Sequence, residues 1–292
     1  MERNETPGLR GLIVPVLTPF AESGGLDRDA YVRHLDFMAG HGVRRLLANG
    51  TTGEFFSMTR EERRELFTVT RDHFAGSILF HVGCCALPEA IAEARWAEEQ
   101  DADAVVAAAP FYLARVSTAG LVDYFRAMAE AVSVPLILYN FPKHTQNPLS
   151  PESLAQIPHY GMKDSSCDLS LIAHTPRYYL GGDPQLSAAC KQGAVGFVSA
   201  TANCCPWLHV AMEKALVAQE RERIAELQGE LTRVTEAFSA LGMIPLLKQA
   251  LSWTLDGYPT AVRPPLVTPD KPQTDTLAAD LPSLQHSTDG VR

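Results

Sequence analysis

A lysine ends a short apolar run near the middle of the chain. Lys163 follows "YGM" and precedes "DSS". A buried ammonium is costly unless paired, whereas a neutral amine with apolar walls can attack a ketone. Two hypotheses follow: a structural ion pair, for example with Asp164, or a nucleophile that forms an imine. The only other candidate nucleophile is Lys143, which is expected in a loop. The remaining lysines are expected to carry solvated ammonium groups, in helices (Lys191, Lys214 and Lys248) or in the tail (Lys271).

Hydroxyl and phenol groups follow other apolar runs. Thr51 and Thr52 lie in "GTTGE", where the glycines, including Gly50, let the backbone approach a ligand and the amides and hydroxyls suit a carboxylate. Tyr139 ends one run and Tyr112 follows another, and a chain of tyrosine and threonine hydroxyls can carry protons to and from a carbinolamine. Taken alone, each of these residues is better explained as part of a turn or as a packing residue than as a catalytic group. Together with a lysine, they indicate acid–base chemistry around an imine.

Eight short apolar runs rich in β-branched residues mostly alternate with helical patterns, which predicts a (β/α)8 TIM barrel. Catalytic groups of such barrels sit at the carboxyl ends of the strands, where the candidates above are found. Asp27, Thr59 (with Glu62) and Ser117 are expected to begin helices. The predicted strands are Leu12–Leu17, Arg44–Ala48, Ile78–Val82, Ala104–Ala108, Pro135–Tyr139, Tyr160–Lys163, Tyr178–Gly181 and Val195–Ser199.

The alternation stops after the eighth run. Residues from about Pro206 to Leu255 show successive helical patterns with no strand candidate, which predicts a C-terminal helical appendage. The last stretch is polar and aperiodic. We therefore predict a barrel over residues 8–203, a helical region over 204–268 and a flexible tail over 269–292.

Composition indicates a protein that acts on small molecules. Of the 292 residues, 46% are hydrophobic and 20% charged, and the net charge of −9 comes without a Lys/Arg block. Nucleic-acid and membrane partners are therefore not expected. The six cysteines form no C-x-x-C pattern, which predicts free thiols in a reducing compartment and no zinc site. With no leader-like or membrane-spanning apolar run, we expect a cytoplasmic location.

Six motifs together resemble the dihydrodipicolinate synthase / N-acetylneuraminate lyase family of Schiff-base-forming, class I pyruvate lyases. The resemblance runs in order from about Gly11 to Leu266. The motifs are "GTTGE" (Gly50–Glu54), "PFY" (Pro110–Tyr112), "YNFP" (Tyr139–Pro142), "KDSS" (Lys163–Ser166), "GGD" (Gly181–Asp183) and "GFVSATAN" (Gly196–Asn203).

The resemblance implies a role for each matching residue. Lys163 corresponds to the lysine that forms the imine with pyruvate, and Tyr139 to the tyrosine that shuttles protons. Thr51 and Thr52 correspond to the pair that binds the pyruvate carboxylate and joins the proton relay, with Gly50 beside them.

Other implications concern assembly and cofactors. Tyr112 corresponds to a tyrosine that reaches across a tight-dimer interface to complete the relay of the neighbouring subunit. Val198 corresponds to a residue near the imine. Family members are typically homotetramers, dimers of dimers, and use neither a metal nor an organic cofactor.

Departures from the family pattern bear on the second substrate. His144 stands where lysine-biosynthetic synthases carry an arginine that binds the aldehyde's carboxylate, and histidine has no guanidinium fork. Cys85 replaces an asparagine of the lysine feedback site, and Phe55 and Phe56 replace small polar residues, so no lysine inhibition is expected. Lys143 and His144 are candidates to contact a hydroxylated or anionic second substrate, or are plain loop-surface residues.

Three functions stay open. The leading hypothesis is reversible aldol cleavage of a 2-keto-3-deoxy sugar acid to pyruvate and an aldehyde. The second is 4-hydroxy-tetrahydrodipicolinate synthase, which condenses pyruvate with aspartate semialdehyde, or another condensation or dehydration on the same imine. The third is a non-catalytic protein that binds a keto acid for regulation, which an intact set of imine-forming residues disfavours.

Overall fold

Eight strands form a closed barrel in chain order, as the sequence predicts. The computed structural model describes residues 8–281. The strands are β1 (Gly11–Pro15), β2 (Arg45–Ala48), β3 (Ser77–His81), β4 (Ala104–Ala108), β5 (Leu136–Asn140), β6 (Gly161–Asp164), β7 (Tyr178–Leu180) and β8 (Gly196–Val198).

Burial on both faces explains the continuous apolar runs. Every residue of β4 and of β5 is buried, as expected for parallel strands covered by helices. Each predicted run overlaps an observed strand. Strands β1 and β3 begin one residue earlier than predicted, whereas β5 and β6 extend one residue further, to Asn140 and Asp164. The cause is polar pairing: these two residues are register partners, and the Asn140 side-chain amide donates to the Asp164 carboxylate over 2.7 Å.

Helices follow most strands, and three long helices follow β8. The predicted helix starts are confirmed at Asp27, at Thr59 with its capping box to Glu62, and at Ser117. The helices are α1 (Arg28–Gly40), α2 (Arg60–His73), α3 (Leu87–Glu99), α4 (Thr118–Ala131), α5 (Pro142–Thr145), α6 (Pro151–Leu154), α7 (Leu186–Lys191), α8 (Pro206–Ala218), α9 (Arg221–Leu241), α10 (Met243–Thr254) and α11 (Lys271–Asp280).

The C-terminal part departs from expectation in two places. Helix α11 lies within the tail that was expected to be flexible, because Asp270 and Gln273 form a capping box and Leu277 is buried. Residues 282–292 of that tail lie outside the described residues. Lys248 in α10 was expected in solvent, but its side chain is fully buried. Here the reason is an ionic partner, Glu54, which lies far away in sequence.

Spatial contacts group the chain into two compact units. Among the described residues, one unit joins residues 8–13 with Ser77–Val198 and contains strands β3 to β8. The other joins Val14–Gly76 with residues 199–281, and in it α9 packs against α8, α10 and α11. The boundary that we place after residue 203 stays a prediction. Within residues 8–281, every helix is too short or too polar to cross a membrane.

Candidate active site

The candidate nucleophile and the candidate proton shuttle lie side by side. Lys163 in β6 and Tyr139 in β5 are register partners on neighbouring parallel strands. The Nζ atom of Lys163 lies 3.8 Å from the centroid of the Tyr139 ring. Both residues are buried, with 6% and 4% of their surface exposed. An aromatic face attracts a cation, so this ring stabilises positive charge on the Lys163 nitrogen.

Asp164, the ion-pair partner that one hypothesis assigns to Lys163, has other partners. Its carboxylate accepts hydrogen bonds from Asn140 Nδ2, Ser166 Oγ and the Tyr178 hydroxyl, each over 2.7 Å. Successive side chains of a strand point to opposite faces, which separates the Asp164 carboxylate from the neighbouring ammonium. Asp164 thus fixes the end of β6 and leaves the lysine to other chemistry.

A row of aromatic rings leads from Lys163 to the loop after β5. Tyr139 stacks on Phe141 with ring centroids 5.5 Å apart and an interplanar angle of 28°. Phe141 in turn contacts His144 in α5, with centroids 4.1 Å apart. His81 at the end of β3 meets Tyr139 edge-on, with centroids 6.3 Å apart. Phe141 belongs to the quoted "YNFP" motif, but nothing in its type signalled that it connects His144 to the lysine.

His144 presents a neutral imidazole rather than a cation. Partial burial against Phe141 lowers the pKa of His144 below its usual value, and the adjacent Lys143 ammonium lowers it further. A neutral imidazole offers one N–H donor and one acceptor, which suits hydroxyl groups better than a carboxylate. Lys143 itself is exposed on the same short helix.

The "GTTGE" segment is a tight turn directly after β2. The Gly53 amide donates to the Gly50 carbonyl and the Glu54 amide to the Thr51 carbonyl, both over 3.0 Å. Thr52 is buried to 9% exposure, whereas Thr51 is partly exposed. The two hydroxyls therefore sit on a constrained loop at the carboxyl end of a barrel strand.

Gly53 permits this turn for a steric reason. A Cβ atom at Gly53 would lie 2.9 Å from the Val16 carbonyl oxygen, closer than real side chains allow. The Thr18 hydroxyl also donates to the Gly53 carbonyl over 2.7 Å. The turn is thus packed onto the segment that follows β1, and only glycine fits at this position.

The Tyr112 loop is held from within while its side chain points to solvent. Tyr112 is 88% exposed. The buried side chain of Asn147 fastens the loop, since its amide donates to the carbonyls of Pro110 and Leu113 and its oxygen accepts from the Val116 amide. We did not predict this role for Asn147, because a loop asparagine usually indicates only a turn.

The remaining predicted site residue is Val198, and the described residues also bear on whether the chain could hold a metal ion. Val198 is the last residue of β8, is 6% exposed and pairs in register with Ile13 of β1. No group of three or more His, Cys, Asp or Glu side chains within residues 8–281 is arranged to hold a metal ion. All six cysteines are free, as predicted.

Sequence comparison finds relatives along nearly the whole chain. The model of the dihydrodipicolinate synthetase family matches residues 8–284. The chain is 32% identical over 274 residues to a DapA-like lyase of Chloroflexus aurantiacus, covering 88% of this chain and 91% of that one. It is 36% identical over 238 residues to the 4-hydroxy-tetrahydrodipicolinate synthase of Aromatoleum aromaticum, covering 76% and 80%.

Solved structures share the fold. The prophage protein YagE from E. coli K12, of the dihydrodipicolinic acid synthase family and solved with pyruvate, superposes with a TM-score of 0.89 at 28% identity, covering 95% of this chain and 99% of that one. A variant of the Sulfolobus solfataricus 2-keto-3-deoxygluconate aldolase gives a TM-score of 0.85 at 26% identity, covering 94% and 96%.

Proposed function

This chain belongs to the dihydrodipicolinate synthetase family, and we propose on that premise that Lys163 forms an imine with the keto carbon of pyruvate or of a pyruvate-derived 2-oxo acid. The enzyme is then a pyruvate-dependent carbon–carbon lyase of the Schiff-base class. The observation that carries the proposal is the contact of the Lys163 nitrogen with the Tyr139 ring. A regulator that only bound a keto acid would have no need of an amine held beside a phenol.

The chemistry follows from the amine. Lys163 attacks the keto carbon to give a carbinolamine, which loses water to leave a protonated imine. The imine accepts the electron pair of the carbon–carbon bond as the 4-hydroxyl of the substrate loses its proton and an aldehyde departs. The resulting enamine takes a proton on carbon, and water then releases pyruvate. Tyr139 is the group that we assign to carry these protons, and its ring faces the nitrogen that bears the positive charge.

Thr51, Thr52 and the backbone at Gly50 are proposed to bind the carboxylate of the 2-oxo acid. The constrained turn after β2 supports this assignment, because it offers two hydroxyls at the end of the barrel where catalytic groups gather. We also assign Val198, at the carboxyl end of β8, to the wall of the imine site.

The exposed Tyr112 bears on the assembly of the enzyme. We propose that Tyr112 completes the proton relay of a neighbouring subunit within a homotetramer built from tight dimers. Its 88% exposure on a firmly held loop supports that role, since it is free to enter another subunit.

The cysteines bear on the cellular location. Six free cysteines suit a reducing compartment, and we infer a cytoplasmic location.

For the second substrate we propose a 2-keto-3-deoxy sugar acid such as 2-keto-3-deoxygluconate, cleaved reversibly to pyruvate and a hydroxylated aldehyde. The neutral imidazole of His144, at the end of the aromatic row, supports this choice because it matches hydroxyl groups. Lys143 is assigned to the same part of the substrate. The likeness to the Sulfolobus aldolase is a second support.

The alternative function is 4-hydroxy-tetrahydrodipicolinate synthase. The relative of that name in Aromatoleum aromaticum favours it. Against it stands His144, since an imidazole that is neutral near pH 7 cannot bind the carboxylate of aspartate semialdehyde as a guanidinium would.

One assay distinguishes the two functions. Purified protein is given 2-keto-3-deoxygluconate and, separately, pyruvate with aspartate semialdehyde. Pyruvate release is measured in the first reaction and aldehyde consumption in the second. We expect the cleavage reaction to have the higher kcat/KM. Activity confined to the condensation would overturn the aldolase proposal and establish the alternative.

A further inference from the structure

A buried ion pair holds the last residue of the turn that carries Thr51 and Thr52. The side chains of Glu54 and Lys248 are both fully buried, and Glu54 Oε1 lies 2.5 Å from Lys248 Nζ. Lys248 also donates to the Ala261 carbonyl over 2.7 Å. The other carboxylate oxygen of Glu54 accepts from the backbone amide of Arg263 over 3.2 Å. Both oxygens of Glu54 are therefore held by α10 and the segment after it.

Arg263 is itself fixed on several sides. Its guanidinium forms a two-pronged pair with Glu62, over 2.6 and 2.7 Å, and donates to the Ser57 carbonyl over 3.1 Å. The ring of Phe20 faces both cations, 4.4 Å from Lys248 Nζ and 4.2 Å from Arg263 Cζ. Such a two-pronged pair fixes direction as well as distance, so the Arg263 amide meets Glu54 in one orientation.

Stability alone does not account for charges in this position. Replacing a buried ion pair by apolar groups of similar size is often neutral or stabilising, because both charges lose their hydration. Burial lowers the pKa of Lys248 to about 8, although Glu54 acts to raise it and Arg263 lowers it further. The lysine is still charged at neutral pH, so the pair persists there at a desolvation cost. A role in fixing the position of the turn explains the Glu54–Lys248 pair better than a role in stability.

The backbone of the turn needs such fixing. Glu54 adopts φ 58°, ψ 36°, in the left-handed region that non-glycine residues seldom occupy. Conformations of this kind persist when surrounding contacts determine them. Here those contacts are the backbone hydrogen bonds of Glu54 within the turn and the contacts of its carboxylate with Lys248 and Arg263. Thr52 is only two residues away, so movement of Glu54 would move the Thr52 hydroxyl.

We propose that Glu54, Lys248 and Arg263 form a positioning network that fixes the Thr51–Thr52 turn, so that the C-terminal helical region sets the affinity for the carboxylate of the 2-oxo acid. This proposal rests on the proposed function, since it concerns the same carboxylate. None of the three residues touches the reacting atoms in this scheme; they act through the threonines.

The test separates position from stability by removing the pair in two ways. Lys248→Met leaves Glu54 buried and uncompensated, and a loss of thermal stability is expected. The double variant Glu54→Gln with Lys248→Met removes both charges at nearly constant volume, and we expect its melting temperature to return close to that of the wild type. The matched control is Lys271→Met with Asp275→Asn, which removes an exposed Lys–Asp pair on α11.

Binding is read from the pyruvate concentration that gives half-maximal borohydride trapping on Lys163. For the double variant we expect this concentration to rise about tenfold, with trapping at saturation unchanged, as for loss of ground-state binding. The control should match the wild type.

Two other results would overturn the positioning network, and only one of them would also overturn the proposed function. A double variant with restored stability and wild-type half-saturation overturns the network while leaving the proposed function intact. Absence of any adduct in the wild type overturns the proposed function, and the network falls with it.

Discussion

Lys163 and Tyr139 are register partners on adjacent strands of the barrel, and the lysine nitrogen lies over the tyrosine ring at 3.8 Å. Tyr139 therefore contributes in two ways, through its ring and through its hydroxyl. The ring packs against both Lys163 and Phe141, which is a structural contribution. The hydroxyl is the feature that we assign to proton transfer, and the two contributions can be measured apart.

Tyr139→Phe removes the hydroxyl and keeps the ring. We expect kcat for cleavage to fall by about 10²- to 10⁴-fold, the usual contribution of a positioned acid–base group. The melting temperature should change little, because the contacts with Lys163, Phe141 and His81 are retained. Steady-state kinetics and a thermal melt check both statements. A variant with nearly full kcat would show that another group carries the protons.

His144→Arg introduces the guanidinium fork that the loop lacks. We expect the ratio of kcat/KM for 2-keto-3-deoxygluconate to that for aspartate semialdehyde to fall by on the order of tenfold, because the new cation favours a carboxylate over hydroxyls. His73→Arg, at an exposed position on α2, is the matched control. An unchanged ratio would remove His144 from the substrate site and return it to the loop surface.

His34 makes the fold sensitive to acid. It is fully buried against Tyr258, and neither ring nitrogen has a hydrogen-bond partner within the described part of the chain. Burial lowers the pKa of His34 from 6.5 to about 3. The unfolded chain therefore binds the proton more tightly, so this contribution to stability is complete above pH ~6.5 and is lost as the pH falls toward 3.

The loss of stability attributable to His34 between pH 7 and pH 4 is on the order of 3 kcal/mol. Denaturant melts between pH 7 and pH 4 measure it. His34→Leu should flatten this part of the profile, whereas His73→Leu, at the exposed position on α2, should not. Equal acid sensitivity in the wild type and His34→Leu would contradict this account of the buried imidazole.

Local sequence patterns predicted the parts of the fold that depend on local physics. Buried parallel strands produce continuous apolar runs, and all eight were found. The helix starts at Asp27, Thr59 and Ser117 were confirmed because a capping side chain bonds to an amide only a few residues away. The neighbourhood of Lys163 and Tyr139 follows from consecutive strands that pair in order.

Contacts between distant segments were not predictable in this way. Lys248 was expected in solvent, because nothing within α10 indicates that its partner is Glu54. Asn147 fastens the Tyr112 loop from more than 30 residues away. The partner of a polar side chain is set by the folded chain, and a single sequence does not show it.

The most direct test of the central claim is borohydride trapping with pyruvate. Wild-type protein, Lys163→Met and the exposed-lysine control Lys191→Met are each reduced in the presence of pyruvate. The intact mass and the modified peptide are then determined for each protein. We predict one reduced pyruvyl adduct on Lys163 in the wild type and in Lys191→Met, and none in Lys163→Met. An adduct on Lys143, or no adduct on a folded wild-type protein, would contradict the imine mechanism.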